Sequence, residues 1–236
     1  MGVVVAGIYR AANAESLQRI LRDVPGDWRI ALWALDDVLP SHADVTVGSG
    51  RGGKFGLLNE TLARSGIDDT LVLIDDDAWL TRGSFADLVT IAAEAGFDVA
   101  QPAHDRDSKS TYSFNRRRRA SVARETTFVE IGPIIVMRGR APSMLLPFPD
   151  DIGMGWGLEL LWRRERARGL RMGVVDAVTV HHPDPPNATY ADSAAVEFDR
   201  VDRLLAEDGL SNIRDAQRTV GRWWRGCRRP PRGWRK

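Results

Sequence analysis

Cysteine is almost missing from this sequence: Cys227 is the single one in 236 residues. A lone thiol makes no internal disulfide and no cysteine metal cluster, so both are excluded as the source of stability. A reducing, cytoplasmic setting is the expectation. Long apolar runs are missing too, and none approaches the roughly 20 residues that a membrane-spanning helix needs. The apolar opening Val3-Val4-Val5 is short and lacks the basic flank of a signal peptide. There is no internal repeat. What is present is ordinary for a globular chain, with 43% hydrophobic and 28% charged residues. The length suits one large domain, or one domain with a small appendage, whose core needs no staples.

The net charge of +1 conceals an asymmetry. Residues 222–236 hold seven Arg or Lys and no acid, which leaves residues 1–221 with 26 basic and 32 acidic residues, a net −6. The basic end also holds Trp223, Trp224 and Trp234. Arginine attracts anionic head groups and tryptophan favours the membrane interface, so peripheral contact with the inner face of a membrane is one expectation for this tail. Nucleic acid is the less favoured partner for the same composition.

Read in order, the first hundred residues alternate short apolar runs with amphipathic segments. Val3-Val4-Val5-Ala6-Gly7-Ile8, residues 28–35 and residues 70–74 read as buried strands, and 98–101 as a shorter one. Residues 14–24, 54–65 and 84–95 read as helices. A glycine-rich loop spans 48–53, and Gly66 stands just past the second helix. This β-α-β-α-β-α-β pattern predicts an α/β fold, a Rossmann-like mixed and mainly parallel sheet flanked by helices. Ligands of such sheets sit beyond the carboxyl ends of the strands. Asp36-Asp37 and Asp75-Asp76-Asp77 fall at those ends. Further on, 105–124 is polar and 128–137 is strand-like. Residues 147–157 form a loop, 158–168 a helix, 173–181 a last strand and 197–206 a further helix.

Three adjacent carboxylates repel one another unless a cation is at hand. A hard ion such as Mg²⁺ or Mn²⁺ takes oxygen ligands and shares its shell with phosphates. Alternation along a strand lets Asp75 and Asp77 act together while Asp76 points elsewhere. A solvated turn that caps the next helix is the competing explanation.

The run Lys54-Phe55-Gly56-Leu57-Leu58-Asn59-Glu60, then Asp69-Thr70-Leu71-Val72-Leu73-Ile74-Asp75-Asp76-Asp77, resembles the family 2 glycosyltransferases and the wider GT-A group. The likeness lies in a glycine and lysine loop, a helix with a Leu-Asn pair, and an apolar strand ending in a DxD motif. It implies a nucleotide-sugar donor, with Asp75 and Asp77 holding a Mn²⁺ or Mg²⁺ ion and the donor diphosphate or ribose. It implies that Asp36 or Asp37 meets the base or ribose, and that Lys54 lies near the nucleotide. The match covers about residues 3–101 in order. It departs at Gly7-Ile8-Tyr9-Arg10, where many family 2 members have a Pro-Thr-Tyr-Asn type of sequence.

In the second half, Gly153-Met154-Gly155-Trp156-Gly157-Leu158-Glu159 resembles the acceptor-side loop of several inverting GT-A enzymes, the β-1,4-galactosyltransferases among them. Glycines let backbone approach a ligand, and Trp156 offers a face for a sugar. By that resemblance Glu159 is the candidate base that removes the acceptor hydroxyl's proton, with Asp150 and Asp151 as rivals. Glu159 could instead only favour a helix N-terminus. The apolar run at 174–180 ends in His181-His182, and GT-A enzymes often place a late metal ligand there. Either histidine could serve, with His181 slightly preferred. The run Arg116-Arg117-Arg118-Arg119 could close over a diphosphate or be a solvated face.

These readings converge on a GT-A glycosyltransferase domain over 1–210, with 1–101 the nucleotide-sugar half, 102–210 the acceptor half and 211–236 a basic extension. A sugar-phosphate nucleotidyltransferase is an alternative, because Gly48-Ser49-Gly50-Arg51-Gly52-Gly53-Lys54 faintly resembles the glycine-rich loop of those enzymes. A non-catalytic nucleotide-binding protein of the same fold is another.

Overall fold

The computed structural model describes residues 2–110, 112–183 and 191–224, the side chains of 191–195 excepted. The strands are β1 (Val3–Tyr9), β2 (Arg29–Ala34), β3 (Thr46–Ser49), β4 (Thr70–Asp75), β5 (Trp79–Arg82), β6 (Val99–His104), β7 (Ser121–Thr126), β8 (Ile134–Arg138), β9 (Met172–His181) and β10 (Thr219–Trp224). The helices are α1 (Ala14–Arg22), α2 (Lys54–Ser65), α3 (Phe85–Ala95), α4 (Ala141–Leu145), α5 (Leu158–Glu165) and α6 (Ala191–Glu207).

One sheet runs β10-β7-β9-β6-β8-β4-β1-β2-β3, with β5 added on β9. The β3-β2-β1-β4 half is parallel, as the alternation predicts. β8 then inserts antiparallel to both β4 and β6, and β7 and β10 pair antiparallel beyond β9. Since β6 and β9 are parallel, β1, β2, β4, β6 and β9 all end on one edge.

Alternation assigns each side chain to a layer. Val3, Val5, Val72, Ile74 and Val136 face α1 and α3 through Leu17, Ile20, Phe85 and Leu88. Val4, Ala6, Leu71, Leu73 and Ile135 face α2, α4 and α5 through Phe55, Leu58, Leu62 and Trp162. The α3 start is fixed by reciprocal bonds between Ser84 and Asp87, and Gly96 closes its end at φ 68°.

Four strands escaped the sequence reading: β3, β5, β7 and β10. Residues 128–133 are a loop, and the strand expected from 128 starts at Ile134. Proline at 133 has no amide to give a ladder. β10 lies in the stretch read as an extension, yet it pairs with β7, and Trp223 packs edge-on to Phe97 at 5.0 Å. Residues 225–236, most of the basic tail and Cys227 among them, lie outside the described residues. No helix among the described residues is long and apolar enough to cross a membrane.

Candidate active site

The shared strand edge opens into a cleft of about 330 Å³. Its walls come from the ends of β1 (Ile8, Arg10), β4 (Asp75 to Asp77) and β9 (His182), from Lys54 opening α2, from loops carrying Lys109, Tyr112, Glu130 and Trp156, and from Glu159 in the first turn of α5. Strand ends thus supply one side and loops the other.

On the strand-end side the three aspartates part company. Asp75 Oδ1 meets Lys54 Nζ at 2.5 Å. Gly132 lies over this pair so closely that a Cβ there would stand 2.8 Å from Asp75 Oδ2. Asp76 turns inward, as alternation predicts, and accepts from the Arg10 amide at 2.6 Å. Burial pushes its carboxyl up to about 6. Asp77 Oδ1 stands 3.2 Å from His182 Nε2. Burial would raise the Asp77 carboxyl, but the His182 hydrogen bond and the His182 and Lys54 charges overcome it and hold the group below its ordinary value. For His182, burial opposes the charge, and Asp77 with Asp75 overcomes it and raises the imidazole. An oxygen and a nitrogen donor therefore face each other at the cleft, and the imidazole makes the pair a better match for a transition ion than for Mg²⁺. Among the described residues no three His, Cys, Asp or Glu side chains gather as a metal-holding group.

It is His182, not the slightly preferred His181, that reaches the aspartates. His181 Nδ1 faces Asp105 at 3.3 Å, and its ring lies 4.9 Å from that of Trp79. Neighbours in a strand point to opposite sides, so only one could enter the cleft. Asp36 and Asp37 stand exposed past the end of β2, where Asp36 caps the Ala11 amide at 2.8 Å, and neither lines the cleft. Asp151 pairs with Arg200 outside it. The arginine run does not line the cleft either. Arg116 bonds the carbonyls of Asp105 and Arg106, Arg117 bonds that of Asp176, and Arg118 and Arg119 are exposed.

On the loop side Glu159 is 3% exposed at the start of α5, and Oε2 accepts from the Gly157 amide at 3.1 Å. Burial pushes its carboxyl up to about 7, against the lowering by backbone hydrogen bonds, and the Glu130 and Glu197 charges add to the rise. Burial, with the charges of Glu159 and Glu130, pushes the Tyr112 phenol up, so it stays a donor. Trp156 is half-buried and stacks on Phe198 at 4.6 Å and 19°.

Sequence reasoning missed Glu130, Tyr112, Lys109 and Glu197. Glu130 is held by Asn115 Nδ2 at 3.1 Å, with the buried His104 ring at 3.3 Å. An acid inside the apolar run Phe128-Val129-Glu130-Ile131 was the available signal.

No known family profile matches the chain, and no curated protein matches it in sequence. Solved structures do. GalNAc-T7 with UDP, GalNAc and Mn²⁺ superposes with a TM-score of 0.60 at 11% identity, over 87% of this chain and 48% of that one. S. aureus TarS 1–349 superposes with a TM-score of 0.58 at 12% identity, over 90% of this chain and 66% of that one. The same fragment in complex with UDP-GlcNAc gives 0.56 at 12% identity, over 88% and 71%. The fold is the GT-A glycosyltransferase fold. The chain spans about half the length of the GalNAc-T7 chain and just under two thirds of the first TarS chain. At such identities the likeness is one of fold.

Proposed function

We propose that this GT-A protein is a metal-dependent glycosyltransferase that moves a sugar from a nucleoside diphosphate to a hydroxyl acceptor, with inversion at the anomeric carbon. One observation carries the reading. A buried carboxyl, Glu159, faces the same cleft as Lys54, Asp75, Asp77 and His182. Separated acid and cation groups of this kind suit a reaction with a phosphate leaving group and a proton to remove.

Asp77 and His182 are the residues that would hold Mn²⁺ or Mg²⁺, with Asp75 beside them. Further oxygen ligands would come from the donor's phosphates and from water. When bound, it would neutralise the diphosphate and the charge that develops on it. Lys54 adds a fixed positive charge on the same side. Asp36 and Asp37 lie just past the end of β2, and contact of either with ribose or base belongs to the proposal. Trp156 offers its ring to a sugar. Glu159, ionised near neutral pH, takes the acceptor hydroxyl's proton as that oxygen attacks the anomeric carbon from the face opposite the diphosphate. GalNAc-T7 with UDP and Mn²⁺, and TarS with UDP-GlcNAc, make uridine donors the first to try. Peripheral contact of residues 222–236 with an anionic membrane is part of the reading, supported by an exposed Trp224 beside Arg222.

The test is release of UDP from a uridine-sugar panel against sugar, small-alcohol and lipid-linked acceptors, for wild type and Glu159→Gln. Acceptor-dependent release, lost in the variant while UDP still binds, is expected. Formation of a sugar nucleotide from a nucleoside triphosphate and a sugar phosphate, with release of pyrophosphate and no transfer, would instead make the protein a nucleotidyltransferase.

A further inference from the structure

The loop that carries Trp156 and leads into Glu159 is held from outside by one side chain. Glu197 Oε1 accepts from the amides of Gly153 at 3.0 Å and Met154 at 2.7 Å. Its Oε2 accepts from the amides of Gly155 and Trp156, each at 2.9 Å. Four consecutive amides thus converge on one carboxylate that is 3% exposed. Successive amides turned to one point form an anion-binding concavity, and here the anion is supplied by the chain itself. Glycine makes the turn possible, since Gly155 and Gly157 sit at φ 101° and 98°. The other side of the loop is closed. A Cβ on Gly155 would stand 2.1 Å from the Phe55 ring, and the Phe55 amide bonds the Gly153 carbonyl at 3.3 Å.

The helix that delivers Glu197 is braced against the helix that follows the loop. Arg163 and Arg164 of α5 meet Asp208, just past α6, at 3.0 and 2.8 Å. Arg164 also meets Glu207 at 2.9 Å. The residue after Glu197, Phe198, provides the ring on which Trp156 stacks. The loop is therefore clamped between α2 and α6, while Asp75 and Asp77 stand at the end of β4 and Lys54 at the start of α2.

We infer that Glu197 is the positioning residue of the loop side of the cleft, fixing the Gly153 to Gly157 backbone and through it the places of Trp156 and Glu159. That these two serve an acceptor rests on the proposed function; the clamp itself does not. Both carboxylate oxygens are required. A glutamine would turn its NH₂ group toward two of the four amides, leaving them unpaired in a buried place. An aspartate keeps both acceptors on a shorter stem.

Three measurements test this. Hydrogen exchange on the wild type should show the amides of Gly153 to Trp156 protected like those of a helix interior, which needs no variant to fold. Acrylamide quenching of Trp156, read as the difference between proteins with and without Trp156→Phe, should rise about threefold or more in Glu197→Gln. It should be at least half restored in Glu197→Asp, because bonds to charged acceptors are the stronger ones. UDP affinity should stay within about twofold in both variants, since the strand-end side keeps its own supports. Unprotected amides in the wild type, or unchanged Trp156 quenching in Glu197→Gln, would overturn the inference. A wild type that fails to bind UDP contradicts the glycosyltransferase reading and leaves the exchange and quenching results to decide the clamp alone.

Discussion

The two sides of the cleft are built differently. The strand-end side is made of short, direct pairs: Lys54 with Asp75, and Asp77 with His182. Each side chain stands at the end of a regular element, so the sheet itself sets their separation. The loop side is made of backbone turns closed by a distant helix, with Glu159 buried at its base. Strand ends keep charges in place where they can meet a charged ligand. The loop side keeps a carboxyl away from water, and so costs more to build and is easier to disturb. Damage to the two sides should therefore separate into loss of nucleotide binding and loss of chemistry.

The largest effect is expected at Glu159. Glu159→Gln should lower transfer by roughly 10²- to 10⁴-fold, the usual contribution of a positioned base. Its UDP affinity should stay close to that of the wild type; an equal loss of binding would erase the division between the sides. In the wild type, transfer should climb about tenfold per pH unit below a midpoint near 7, because Glu159 must be ionised to accept a proton.

The same burial has a stability consequence of opposite sign. Glu159 is raised from 4.5 to about 7, so the folded protein holds that proton more tightly than the unfolded chain. Stability from this group is complete below about 4.5 and is lost as pH rises through about 7. Thermal melts should then show Glu159→Gln matching the wild type at pH 4 and exceeding it at pH 8. A variant less stable at both would mean that the ionised carboxylate is a stabilising partner.

Gly155→Ala sharpens the comparison from the backbone. Its φ of 101° and the 2.1 Å approach of Phe55 predict a loss of about 2–3 kcal/mol of stability. The transfer rate should fall more than UDP binding does, as measured by denaturant melts beside calorimetry. The smallest effect belongs to the basic end. Removing residues 225–236 should weaken co-sedimentation with anionic vesicles severalfold at low salt and leave UDP binding unchanged. Equal sedimentation would remove the membrane contact.

The unequal legibility of the sequence follows the same division. The α2 helix stands at 54–65 as its Leu57, Leu58 and Leu62 spacing predicts, and Asp75 to Asp77 end the strand that Leu71 to Ile74 announce. These signals are local and periodic. β7 was unreadable because Ser121-Val122-Ala123-Arg124-Glu125-Thr126 looks polar, and only the fold reveals that Arg124 is buried on Asp176 at 2.9 Å. β5 and β3 are four residues each, too short to show a period. Glu197 sits in an amphipathic stretch where an acid reads as solvent-facing, and its four bonds reach back more than forty residues. His181 and His182 could be separated only once the β9 register was known.

The most direct measurement is calorimetric titration of UDP and GDP, with and without Mn²⁺, into wild type and Asp77→Ala. Binding of a nucleoside diphosphate that Mn²⁺ strengthens, with that strengthening abolished in Asp77→Ala, is the expected result. No binding of either nucleotide under any condition, or Mn²⁺-dependent binding untouched by the substitution, would contradict a donor site built on the end of β4.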